Sequence, residues 1–306
     1  MNFSLLEKLC SIHAPSGSEQ EMTKFLLTYI KKESKKWKVI PKVLSGKEFQ
    51  DTIVLVFGKP KTAMFAHIDS IGYTVSYANR LVKIGGPASK SGYKLVGEDK
   101  HGKIECKMHV DKEKNISYLY KREIERGTTL TWKPDFREDE DYIQSCYLDN
   151  RLGVFVALKT AETIENGIIA FSTYEEHGGG TAQFIGKYIY EKFKVREALI
   201  CDITWVTSGV QHGNGVAFSM RDSGIPRRSY LEKIKKVLDK GKIPYQIEVE
   251  SAGGSDGNVL QHSPYPFDWC FIGAPEDNVH SPNEKVAIND IEQMLKAYKL
   301  LMREMN

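Results

Sequence analysis

The chain holds 306 residues, 41% hydrophobic and 27% charged, with a net charge of only +3. This is enough apolar material for one large domain or two smaller ones, and it excludes extended disorder. A charge so near balance gives no reason to expect a nucleic-acid or membrane partner.

Five cysteines (Cys10, Cys106, Cys146, Cys201 and Cys270) are scattered, odd in number and without a CxxC pair. A reducing compartment is expected rather than a disulfide framework. Glu7 and Lys8 interrupt the stretch where a signal peptide needs an apolar run, and no segment approaches the ~20 apolar residues of a membrane span. The expectation is a cytoplasmic protein.

The first predicted helix follows Ser18 and Glu21, which have the spacing of a capping box. Met22, Phe25, Leu26, Tyr29 and Ile30 then recur on one face, and the lysines at 31, 32, 35, 36 and 38 read as its solvated end. The apolar runs TIVLVF and TAMFAHI read as buried strands. Residues 72–146 change character. There YTVSY, KIECKMHV, NISYLYK and TLTWKP alternate apolar and polar residues, which predicts an inserted small β-barrel or sandwich. FREDEDY, near its end, predicts an exposed loop.

From residue 147 helical and strand patterns alternate again. LGVFVALKTAETI and GTAQFIGKYIYEKF read as helices, and GIIAFST, EALICDI and DWCFIGA as buried strands. Ile291, Met294, Leu295, Tyr298 and Leu301 mark one face of a last helix. Residues 1–71 and 147–306 are therefore expected to form an α/β sheet covered on both faces.

The strand ends carry the chemistry, because ligands of open α/β sheets bind beyond the carboxyl ends of the strands. TAMFAHIDS ends in His67 and Asp69, and GIIAFSTYEE in Glu175 and Glu176. EALICDITW carries Asp202, and DWCFIGAPEDNVHSP leads to His280. QSCYLDNRLG places Asp149 just before a helix. Each alone has an ordinary explanation, such as an N-cap or solvated charge. Together they would converge on one rim of the sheet. Two imidazoles and three carboxylates suit zinc, cobalt or manganese, and the absence of cysteine argues against a closed structural zinc site. Two divalent ions ~3.5–4 Å apart need a bridging carboxylate and open positions for water and substrate.

With these motifs in order (AHIDS, YLDNRLG, YEEHG, CDIT, AGGSDGNVLQ and NVHSPNE) the sequence resembles the tetrahedral, glutamyl-type aminopeptidases of the co-catalytic metallopeptidases, some of which carry an endoglucanase label. The resemblance runs over nearly the whole chain. It implies a mixed sheet flanked by helices on both faces, as in zinc exopeptidases, with a small β-barrel domain at 72–146 serving as lid or oligomerisation element. It implies two divalent metal ions, zinc or else cobalt or manganese, held by His67 and Asp202 on one side and Glu176 and His280 on the other, with Asp149 as the bridge. Asp69 would orient His67, and Glu175 would be the general base toward a two-metal-activated water. The peptide bond after Asp149 would be cis. Short peptides are the implied substrates and a homo-oligomer the implied assembly.

Three positions depart from the family's commoner pattern: Asn150 for a second Asp, Ser70 for Glu, and Ser255 for Thr. Asp256 reads equally as a helix cap or a substrate contact. A related metal-dependent carboxypeptidase or N-deacylase would insert its extra domain after the Glu pair, and an inactive scaffold would have lost a ligand or the base. Neither pattern is present. His177, His212 and His262 are surplus to the ligand set.

Overall fold

A computed structural model describes residues 1–306. Helices α1 (Ser4–Cys10) and α2 (Gln20–Glu33) precede strands β1 (Lys42–Gly46), β2 (Gln50–Phe57) and β3 (Thr62–His67). Six strands follow: β4 (Gly72–Val75), β5 (Leu81–Ile84), β6 (Lys94–Asp99), β7 (Gly102–Val110), β8 (Ile116–Leu119) and β9 (Thr129–Trp132). The chain then runs through β10 (Arg137–Glu138), β11 (Tyr142–Ser145), α3 (Leu148–Ala161), β12 (Gly167–Ser172), α4 (Ala182–Phe193) and β13 (Glu197–Trp205). It closes with β14 (Val216–Arg221), α5 (Arg228–Lys240), β15 (Tyr245–Val249), α6 (Asp256–Gln261), β16 (Asp268–Asp277), β17 (Glu284–Ala287) and α7 (Ile288–Glu304).

The larger sheet is mixed, in the order β1-β2-β12-β3-β13-β16-β17-β11-β10, with β14 and β15 branching from β16. Its centre, β12-β3-β13-β16, is parallel. These strands are continuous apolar runs because both faces are covered. Period-two alternation sends Met64, Ala66, Leu199 and Cys201 to the face packed by α1, α2, α3, α5 and α7. Ala63, Phe65, Ala198 and Ile200 go to the opposite face, under α4 and α6. All five cysteines are free and buried. No helix is long and apolar enough to cross a membrane.

The second sheet, β5-β4-β9-β6-β7-β8, is antiparallel and curls into a nearly closed barrel. Its two edge strands meet at an Arg80–Ser117 bridge, which shields edges that would otherwise be open to pairing. Along β7, Ile104, Cys106 and Met108 point into a separate core while Lys103, Glu105 and Lys107 face water.

Two local expectations need correction. Helix α2 starts at Gln20 with Glu19 as N-cap and no side-chain cap, so Ser18 and Glu21 do not form a capping box. The Ser18 amide instead closes a turn onto the Pro15 carbonyl, at 2.8 Å. FREDEDY is not a plain loop. Its exposed residues are shared with the β10–β11 hairpin, which pairs with β17 at the margin of the larger sheet because Ile143 alternates into the main core.

His13 joins the N-terminal segment to β9, its ring nitrogens 3.0 Å from Thr131 Oγ1 and 2.9 Å from Thr129 Oγ1. Burial, helped by the nearby Arg151 charge, lowers its pKa to about 4. The unfolded chain then binds the extra proton first. His13 thus contributes stability that is full above its unfolded value of about 6.5 and is lost as pH falls toward 4. Denaturant titrations at pH 7 and pH 4.5 should show the His13→Gln variant losing about 2 kcal/mol less than the parent over that interval. Equal losses would show that His13 does not supply this dependence.

Candidate active site

Strand alternation and parallel pairing together place the polar ends of the central strands. His67 is the last residue of β3, on the same face as Ala63 and Phe65, and Asp202 follows Ala198 and Ile200 on β13, the next strand over. Glu175 and Glu176 lie in a single 3-10 turn just after β12, which flanks β3 on its other side. Asp149 enters from the first, non-helical turn of α3, and the Asp149–Asn150 peptide is cis, as the resemblance implies. His280 comes from the loop between β16 and β17. Tyr147, Tyr174 and His280 all have positive φ (68°, 62° and 59°), a conformation that non-glycine residues adopt reluctantly and that clusters at functional sites.

The six side chains converge. His67 Nε2 lies 3.2 Å from Asp149 Oδ1 and 3.6 Å from Asp202 Oδ2. His280 Nε2 lies 3.3 Å from Asp149 Oδ2 and 3.0 Å from Glu176 Oε2. Each Asp149 oxygen therefore faces a different imidazole–carboxylate pair. Ligand atoms in a tetrahedral zinc site with bonds of 2.0–2.1 Å are ~3.3 Å apart, so both groups have suitable spacing. Glu175 Oε2 approaches to 3.9 Å from His67 Nε2, and its carboxylate accepts no hydrogen bond.

A layer of supporting contacts holds this arrangement. Asp69, fully buried, accepts the Glu175 amide (3.2 Å), the Glu176 amide (3.1 Å) and Ser16 Oγ (2.6 Å). Its Oδ1 stands 3.4 Å from His67 Nδ1, which has no hydrogen-bond partner at that geometry. Asp69 thus organises the Glu pair as well as facing the histidine. Glu284 accepts the Asp149 amide at 3.3 Å and the His280 amide at 3.1 Å, fixing the backbone of two candidate ligands at once. Sequence reading missed Glu284, although NVHSPNE contains it. Its role depends on a contact with Asp149, 135 residues away. Asn150 donates to the Cys201 carbonyl (2.9 Å) and accepts the Gly153 amide (2.9 Å). Any side chain at Gly153 would run into both of those groups, which accounts for glycine there. Arg151, completely buried, donates to the carbonyls of Ile68 and Asp69.

Burial, ahead of any neighbour, raises Glu175, Glu176 and Asp202 above the ordinary carboxylate range. Burial alone would lower the imidazoles, but the surrounding carboxylates outweigh it. Asp202, Asp149 and Asp69 hold His67 well above its usual value, and Asp149 and Glu176 push His280 up to about 11. Asp149, although buried, is held low by its contacts with the two histidines. The cluster therefore demands positive charge. A divalent cation would meet that demand, and Glu176 Oε1 is buried without a partner to compete for it. Atoms of His67, Asp149 and Glu176 all lie within 4.8 Å of one another.

The remaining positions sort plainly. Ser70 turns toward the Ala14 carbonyl, at 3.4 Å. Ser255 is the N-cap of α6 within a capping box, so Asp256 is not the cap. Asp256 accepts Ser172 Oγ through Oδ2 and leaves Oδ1 buried and unpartnered. His177 Nδ1 accepts the Gly85 amide at 3.1 Å, tying the barrel to the Glu turn, and the Ala88 amide donates to the His280 carbonyl at 2.8 Å. His212 packs near Asp277, and His262 stays with its own helix end. Beside the cluster opens a cavity of about 290 Å³.

Imidazoles and carboxylates thus meet at the carboxyl ends of the parallel central strands, beside an open cavity, where α/β sheets bind their ligands. Residues 98–297 match the M42 glutamyl aminopeptidase family, and the chain belongs to that family. It is 27% identical to a "Putative aminopeptidase" of Acetivibrio thermocellus, over 96% of each chain. Its fold is shared by the aminopeptidase APDkam598 of the archaeon Desulfurococcus kamchatkensis, with a TM-score of 0.86, 22% identity, and 99% of this chain and 94% of that one covered. The Pyrococcus horikoshii TET1 peptidase is similar, with a TM-score of 0.83, 20% identity and 99% of each chain covered. The chain is a peptidase of an aminopeptidase family.

Proposed function

We propose that the protein is a dinuclear metal-dependent aminopeptidase that removes N-terminal residues from short peptides. The observation that carries this reading is the position of Asp149, whose two oxygens face two separate imidazole–carboxylate pairs. His67, Asp202 and Asp149 Oδ1 would hold one ion, and His280, Glu176 and Asp149 Oδ2 the other. Oxygen and nitrogen donors without cysteine suit zinc, with cobalt or manganese as alternatives. Bound divalent ions would lower the pKa of water toward ~7 and polarise the scissile carbonyl.

The chain's own residues supply the rest. Glu175, with its carboxylate free of internal hydrogen bonds, would take the proton of the attacking water and pass it to the leaving amine. Asp69 would hold Glu175 and Glu176 at the correct height through their amides and restrain the His67 ring. Glu284 would keep Asp149 and His280 in register.

The family's aminopeptidase activity supports cleavage next to a free α-amine. Within residues 72–146 the barrel strands up to Trp132 would act as the inserted domain, with the Gly85–Ala88 loop lying over Glu176 and His280, while β10 and β11 belong to the larger sheet. The Pyrococcus horikoshii protein can assemble into a tetrahedron or a large octahedral shell, which supports a homo-oligomer here. A panel of aminoacyl-anilides beside N-blocked peptides tests the reading. Free-amine substrates should be cleaved and blocked ones spared. Cleavage of the blocked peptides would exclude an aminopeptidase.

A further inference from the structure

We infer that the cavity beside the metal centre is a subsite for a basic side chain, so that the enzyme removes N-terminal lysine and arginine in preference to apolar or acidic residues. This rests on the aminopeptidase reading and adds its substrate class. The cavity is continuous with Asp149, Glu176, Asp202 and His280, and its far wall carries Asp222, Glu248, Glu250 and Trp205.

Glu248 is the telling residue. It lies on β15, an edge strand paired only with β14. Ordinary alternation would bury the apolar residues of such a strand, yet Ile247 and Val249 are 45% and 63% exposed while Glu248 is 4% exposed. The register therefore turns a carboxylate inward, at an energetic cost that needs a compensating partner. Within the protein its Oε1 accepts Thr204 Oγ1, the hydroxyl of its cross-strand neighbour Ser219 stands beside the carboxylate, and no cation pairs with it. Asp222, 8% exposed, accepts the Gly224 amide and Asn258 through Oδ1 and likewise has no cationic partner. Arg221 makes no ion pair with these carboxylates: its Nε–H donates to the backbone carbonyls of Asp222 and Glu250, and its charge favours ionised Asp222 less than burial opposes it.

Position and shape agree with a cationic ligand. Thr204 follows Asp202 by two residues on β13, so both point to the same face ~7 Å apart along the strand. The Thr204–Glu248 contact thus lies one side-chain length beyond the candidate metal centre, a span that the three- or four-carbon stem of arginine or lysine covers. Trp205, 40% exposed at the cavity, adds an aromatic surface for the stem or the charge. An acidic substrate side chain would meet three carboxylates, and an apolar one would leave Glu248 and Asp222 desolvated without a counter-charge.

The test uses full-length, zinc- or cobalt-loaded protein and lysyl-, arginyl-, leucyl- and glutamyl-anilides. The expected result is a kcat/KM for lysyl and arginyl substrates at least about tenfold above that for leucyl, with glutamyl lowest. Acetylating the substrate's Nε should remove the advantage of lysine. In Glu248→Gln the lysyl-to-leucyl ratio should fall roughly 10- to 100-fold. A wild-type preference for leucyl or glutamyl substrates would overturn the assignment. So would an equal loss on lysyl and leucyl substrates in Glu248→Gln, since that pattern belongs to α-amine binding or to support of the fold. Should that variant fail to fold, the wild-type comparison of lysyl with Nε-acetyl-lysyl anilide still decides, equal rates overturning the proposal. If no free-amine substrate is cleaved, the aminopeptidase reading itself fails, which is a different result from a changed order of preference.

Discussion

Glu175→Gln is expected to bind metal and fold like the parent while losing roughly 10²–10⁴-fold in kcat. The substitution is isosteric, and it leaves in place the Glu175 backbone amide that donates to Asp69. What it removes is the proton acceptor. The side chain is 15% exposed, turned to the cavity, and 3.9 Å from the imidazole that opens the candidate ligand set. A neutral amide there can still contact a water molecule but cannot accept its proton. The loss should fall on kcat and kcat/KM alike, because a general base acts only as the transition state is reached. Steady-state kinetics on a metal-loaded sample, with metal content and melting temperature measured alongside, checks this. Near-full activity with both ions present would remove Glu175 from the role of base.

Asp149→Asn is expected to have the broader effect, weakening both ions at once. Its two oxygens face His67 and Asp202 on one side and His280 and Glu176 on the other. An amide offers one weakly basic oxygen and a nitrogen that repels cations, so the second position is lost outright. Replacement of partners that merely orient a ligand already costs about 10–100-fold in affinity, and loss of a shared ligand should exceed that. Metal also stabilises the parent by mass action, about 4 kcal/mol at a thousandfold excess over Kd, so chelation should lower the parent's melting temperature much more than the variant's. Asp202→Asn is the comparison, since it should weaken the His67 side first. Equally tight binding of two ions by Asp149→Asn would remove the bridge from the proposal.

Support around the site accounts for part of its reach into the sequence. Asp69 and Glu284 make their contacts mainly through backbone amides of other residues: Glu175 and Glu176 for the first, Asp149 and His280 for the second. A backbone amide leaves no trace in residue identity, so these partnerships could not be read from the chain. His67 and Asp202, by contrast, were readable together, because several apolar runs that each end in an imidazole or carboxylate point to one rim of the sheet, although each alone has an ordinary explanation.

Much of this protein was determined by its sequence alone. Continuous apolar runs require strands covered on both faces, period-two alternation marks the barrel strands, and polar residues at run ends mark the rim of the sheet. These are local signals, set by the geometry of a single strand or helix. The sequence also carried the motif order that resembles the family now matched over residues 98–297. Only the tertiary structure decided which polar groups face one another. It decided that Ser18 does not cap α2, that the β10–β11 hairpin joins the larger sheet, and that Glu248 turns inward from an edge strand whose composition suggests the opposite register. The physical reason is the same in each case. A cap, a strand pairing or a buried charge is settled by free-energy terms that involve residues distant in the chain, and those terms override the preferences of the local segment.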